Sequence, residues 1–192
     1  MRHYLKLKKI VKMKKVLLFA LPLLLVACKG GVEAHKAAIE ELGTSWDAAT
    51  TAVTGFSEGL TKDMTSMTEA ANQMMLDSAA VAGLKGEAGT KWTEAITAFK
   101  TASDAYTPVQ TELNDFVTMW TEKGAGVTAL KDGLAAGKIE GDIPAQIAEL
   151  SGLATQATEK VASWTAKQTE LKASSESALG LLKAAYEMVA KK

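Results

Sequence analysis

The chain has 192 residues, of which 47% are hydrophobic and 23% charged, with 22 basic residues, 22 acidic residues and one cysteine. The balance is uneven along its length. Arg2, Lys6, Lys8, Lys9, Lys12, Lys14 and Lys15 stand in residues 1–27 without a single acid, so the remainder holds 15 lysines against 22 acids, a net charge of −7. An acidic body without arginine lacks the planar fork that reads phosphates and bases, which argues against a nucleic-acid partner. A single thiol cannot close an internal disulfide, so stability has to come from packing.

The N-terminal basic segment runs into an apolar stretch over 16–27, broken by Pro22 and followed by Cys28. About a dozen apolar residues is the length of a secretory signal and falls short of the roughly 20 that a membrane-spanning helix needs. Met13 followed by Lys14 and Lys15 makes a complete signal start of its own, so Met13 competes with Met1 as the translation start. The other reading of Cys28, as an ordinary small apolar residue in an uncleaved helix, leaves the charge pattern and the lone thiol unexplained.

The tetrapeptide Leu25-Val26-Ala27-Cys28 resembles the lipobox of bacterial lipoproteins, with valine an accepted variant at the second position. The resemblance covers about the first 28 residues and concerns processing. It implies cleavage between Ala27 and Cys28, a diacylglyceryl thioether on Cys28, and a palmitate-type acyl group on the new N-terminus. Each buried methylene contributes about 0.8 kcal/mol and a single chain binds marginally, so three chains would anchor the protein stably in a lipid bilayer. Lysine after Cys28 resembles the outer-membrane sorting pattern of enteric lipoproteins. The expected location is therefore the bacterial cell envelope, at the outer membrane, with the periplasmic or surface face left open. Residues 28–31 would be the lipidated cysteine and a short tether, and 32–192 the folded body.

That body reads as all-α. Ile39, Leu42, Trp46, Ala49, Val53, Phe56, Leu60, Met67, Ala70, Met74 and Val81 recur at alternating three- and four-residue steps, a coiled-coil-like seam. Asp63 and Asp77 fall on the same seam and are expected as solvated rim acids, with Met64 and Ala71 taking up the contact. The glycines of 83–89 predict the first turn. A second seam takes Trp92, Ile96, Phe99, Ser103, Tyr106, Gln110, Leu113, Val117 and Trp120. Pro108 within it predicts a kink or a fresh helix start, and Gly124-Ala125-Gly126 a further interruption. The turn over 137–141 comes next, then Asp142 as N-cap ahead of Pro144.

The last seam runs Ile143, Ile147, Leu150, Ala154, Ala157, Val161, Trp164, Gln168, Leu171, Ser175, Ala178, Leu182, Ala185 and Val189. Segments of 32–82, 89–137 and 142–190 are nearly equal in length. They predict an elongated antiparallel three-helix bundle with its middle helix kinked or broken, or a four-helix bundle if 126–136 stands as a separate short helix. Trp46, Trp92, Trp120 and Trp164 are the expected large core layers.

Chemistry is sparse. No nucleophile elbow, phosphate loop, dinucleotide fingerprint or zinc motif occurs, and His35 is the one histidine after the signal, so neither catalysis nor a cofactor nor a metal is expected. Met64, Met67, Met74 and Met75 read as core filling ahead of metal ligation, and Ser103, Gln110, Gln168 and Ser175 as polar layers that set register. Two functions compete: a structural or interaction lipoprotein tethered in the envelope, and a surface-exposed binding module or adhesin. A lipid at one end and the terminal Lys192 at the other resembles the Braun-type lipoproteins, whose last lysine is joined to peptidoglycan. Against that stands the plain reading in which Lys191 and Lys192 complement the last helix dipole.

Overall fold

The computed structural model describes residues 31–190, and these are almost wholly helical, with no strand among them. A 3-10 turn over Val32–His35 leads into α1 (Lys36–Asn72). Then come the short α2 (Ser78–Gly83), α3 (Gly86–Asp104), α4 (Thr107–Ala136) and the long α5 (Ile143–Ala190). At 1.5 Å per residue the 48 residues of α5 span about 72 Å, which sets the length of the molecule. Many residues of these helices are threonines, which are modest helix formers. Thr44, Thr51, Thr97, Thr118 and Thr165 each turn the hydroxyl back onto the carbonyl four residues earlier, so the side chain stays satisfied without leaving the helix.

Contacts between helices give their directions. Phe56 stacks on Trp164, Asp63 meets Lys172, and Ala71 shares a cluster with Leu182, so α1 and α5 run the same way. Against α1, Trp120 reaches Thr50, Gly124 lies against Trp46, and the still later Lys131 lies over Gly43. Toward α5, Lys123 pairs with Glu149, Glu112 with Lys160, and Tyr106 with Ser175. α4 therefore runs against both. The main core holds Trp46, Phe56, Phe116, Trp120 and Trp164 together with leucines from α1, α4 and α5. A second, smaller core gathers Ala71, Trp92, Ala95, Leu182 and Ala185 at the far end.

The α5 seam lies where its periodicity predicts, with Leu150, Ala154, Ala157, Trp164, Leu171, Ser175, Ala178, Leu182 and Ala185 buried. The other segments differ from expectation in five ways. α1 stops at Asn72, ten residues early, and Val81 is exposed rather than seated in the core. Residues 78–83 form their own short helix, capped by Asp77, whose Oδ1 accepts from Ala80 N at 2.7 Å. Asp77 is exposed, as expected, and it serves as a cap rather than lying along a continuing seam. The first turn is tighter than 83–89: Gly86 takes a left-handed φ of 59° and Gly89 already lies inside α3, where a Cβ would sit 3.3 Å from the Leu84 carbonyl oxygen.

The middle of the chain shows the other two differences. Its buried set is Trp92, Ala95, Ala102, Tyr106, Val109, Leu113, Phe116 and Trp120, so Ser103, Gln110 and Val117 each yield to the residue before them. Both choices keep the heptad; in α3 Ala102 wins because it lets that helix lie close against α5, and in α4 Val109 and Phe116 take the buried places. The helix breaks at Ala105 and Tyr106, and Pro108 falls in the first turn of α4, where its missing N–H costs nothing. α4 then runs through Gly124 and Gly126 without interruption, so 126–136 is not a separate helix. Those glycines are approach points: a Cβ on Gly124 would meet Trp46 at 3.7 Å, and one on Gly126 would meet Leu150 at 3.4 Å. Gly137, at φ 70°, ends α4, and Asp142 caps α5 by accepting from Ala145 N, both as expected.

Candidate functional site

The residues singled out for processing and attachment, Ala27, Cys28 and Lys192, lie outside the described residues. Within them, polar side chains gather where the middle of the chain breaks. Tyr106 closes the bend with its ring almost wholly buried. Ser175 donates to the Leu171 carbonyl at 2.8 Å, which uses its one proton, so the Tyr106 hydroxyl, 3.3 Å away, donates to Ser175 Oγ. Two turns earlier along α5, Gln168 Nε2 donates to Asp63 Oδ2 at 2.6 Å, and Lys172 Nζ lies 3.2 Å from Asp63 Oδ1. The Asp63 side chain is only 15% exposed, so it is a partly buried, doubly bonded acid and not a solvated rim residue.

A groove of about 300 Å3 opens over this layer, with Lys62, Asp63 and Ser66 on one wall, Lys172 and Glu176 on the other, and Tyr106 and Ser175 along its floor. The carboxylate of Asp63 and the ammonium of Lys172 neutralise each other across it, which suits a structural register layer rather than an acid–base pair. Gln168 and Ser175 were legible as polar layer residues, whereas Ser103 is half-buried and Gln110 is exposed. Tyr106 and Asp63 as partners in that layer were not, because nothing in their spacing distinguishes a hydrogen-bonded seam residue from a solvated one.

A second cluster lies over the main core. Lys160 Nζ meets Glu112 Oε1 at 2.6 Å and sits 5.5 Å from the Trp164 ring and 5.8 Å from that of Phe116. The Glu112 carboxyl is held below the ordinary carboxylate range, first by its hydrogen bond from Lys160 and then by the nearby Trp164 indole N–H, with partial desolvation opposing. Trp164 Nε1 itself is buried with no partner in ordinary hydrogen-bond geometry, so its effect on Glu112 is that of a dipole nearby. Trp120 differs: its Nε1 donates to Thr50 Oγ1 at 3.0 Å. Lys123 is raised by its hydrogen bond to Glu149.

Of the four methionines weighed as ligands, Met67 is buried, Met64 and Met74 pack against the two cores, and Met75 is exposed. Among the described residues no three His, Cys, Asp or Glu side chains converge on a point where a metal could sit. None of the described helices is long and apolar enough to cross a membrane. His35 is half-buried in the opening 3-10 turn, and Glu40 and Glu41 are exposed on α1. Comparison with family models, with curated proteins and with solved structures finds no match.

Proposed function

We propose that this chain is a lipid-anchored helical lipoprotein of the bacterial cell envelope with a structural or protein-interaction role. The observation that carries the reading is Leu25-Val26-Ala27-Cys28, the lipobox-like junction at the end of a basic and then apolar leader, with the only thiol of the chain in position. The body fits such a role: α5 alone is about 72 Å long, and the pairs Lys123–Glu149 and Glu112–Lys160 tie α4 to it. We read the architecture as an antiparallel three-helix rod, with α3 and α4 together making the middle pass, standing on the bilayer by the acyl chains on Cys28. Its partner would be an envelope protein or, through Lys192, peptidoglycan. Cys28→Ser should abolish incorporation of a fatty-acid analogue in growing cells and leave the leader uncleaved; label persisting on the variant would refute the anchor.

The alternative, a surface-exposed binding module or adhesin, keeps the same anchor and is favoured by the open groove beside Tyr106. Protease shaving of intact cells separates the two. Cleavage before lysis would place the rod on the outer surface, and protection would place it in the periplasm.

A further inference from the structure

The two cores of the molecule are not joined alike. α4 is tied sideways to both neighbours: Trp120 to Thr50, Lys131 to Asp47, Lys123 to Glu149 and Glu112 to Lys160. The side-chain hydrogen bonds and ion pairs described for α3, such as Lys91 to Glu94 and Lys100 to Asp104, all stay within that helix. Among the described residues, apolar packing of Trp92, Ala95, Ile96 and Phe99 holds it to the rest, chiefly against α5, with Phe99 touching the main core as well. Non-helical backbone brackets the region on both sides, over 73–77 and at Ala105 and Tyr106. The polar layer of Asp63, Gln168, Lys172, Tyr106 and Ser175 lies at the second of these points, so the apolar core is interrupted where the backbone also breaks.

We infer that residues 78–104 form a cap that opens as one unit about the turn at 73–77 and the break at Ala105 and Tyr106, uncovering the face of α5 that carries Ala178, Leu182 and Ala185. Within 78–104, α2 buries no residue and α3 is held mainly by the smaller core, so a weakly tied segment stands between two interruptions, as an independently opening cooperative unit does. The hydrogen bond from Tyr106 to Ser175 is its latch: it pins the hinge residue to α5 when the cap is closed. This inference does not depend on where the protein is anchored.

Hydrogen exchange read by mass spectrometry on the full chain, under native conditions, tests it. Amides of α2 and of 92–104 should exchange together, on the order of a hundredfold faster than those of 109–130. Trp92→Ala should speed both cap segments by a further factor on the order of a hundred and leave 109–130 unchanged. If that variant does not fold, Tyr106→Phe, which removes only the latch hydroxyl, should speed the cap about threefold with the same selectivity. Exchange of α3 in step with α4 would overturn the inference. So would α2 and α3 opening independently of each other.

Discussion

The helices meet across rings in one half of the molecule and across alanines in the other. In the first, Trp46 lies flat on Trp120 at 3.6 Å between centroids, and Phe116 and Phe56 pack on Trp164, so α4 is held away from α5 by the width of indoles. In the second, Ala95 and Ala102 face the seam that carries Ala178 and Ala185, and α3 lies close against α5. The difference teaches where each half is fragile. Removing atoms should damage the aromatic half, and adding atoms the alanine half.

The largest effect is expected from Trp164→Ala, which should cost about 3–5 kcal/mol in denaturant melts. Trp164→Phe sharpens the point: it keeps most of the ring and also removes an indole N–H that has no partner, so its cost should stay below about 1.5 kcal/mol. Equal losses for the two would mean that the hydrogen-bonding capacity of the indole matters and its volume does not.

At the border between the halves, Asp63→Ala should cost about 1.5–3 kcal/mol, because it leaves the Gln168 amide and the Lys172 ammonium without their acceptor. A double-mutant cycle with Gln168→Ala should recover part of that loss; strict additivity would show the pair to be uncoupled.

In the alanine half, Ala95→Leu should destabilise by about 1–3 kcal/mol even though it adds apolar surface. The matching test in the aromatic half is Val117→Leu, at an exposed position, which should move stability by less than about 0.5 kcal/mol. A stabilising Ala95→Leu would show that α3 and α5 do not rely on close approach.

The smallest effect concerns pH. Glu112 is held below its ordinary value, so the stability it contributes is fully present above the unfolded carboxylate value and is lost as pH falls through the lower, folded one. Its side chain is about half exposed, and solvent screening keeps the contribution under about 1 kcal/mol. Glu112→Gln should therefore lower stability in the neutral range by that small amount, and the difference from the parent should close as pH falls below about 4.5.

How much of this was legible in the sequence depends on the helix. Every residue chosen for the α5 seam is buried or half-buried, since a helix packed along its whole length shows one stripe with few competing residues beside it. The middle of the chain offered two candidates at alternate positions: Ala102 or Ser103, Val109 or Gln110, Phe116 or Val117. Periodicity alone accepts either, and the choice falls to packing against neighbours that lie far away in sequence. The early end of α1 was hidden because Met74 and Val81 keep the heptad after the helix has stopped. Gly124 and Gly126 read as breakers because a glycine that ends a helix and one that lets an indole approach look the same in one dimension.

The shared direction of α1 and α5 has a mechanical consequence. Residue 31 and residue 190 lie at opposite ends of the molecule, so tension applied between its termini pulls the α1–α5 interface lengthwise. In that geometry Phe56 against Trp164, Asp63 against Lys172 and Ala71 against Leu182 are loaded together rather than peeled one after another. Interfaces loaded in shear resist far higher force than those that unzip, and they give way abruptly. A hairpin of two helices, with both ends on one side, would have unzipped. This arrangement can carry a load along its axis.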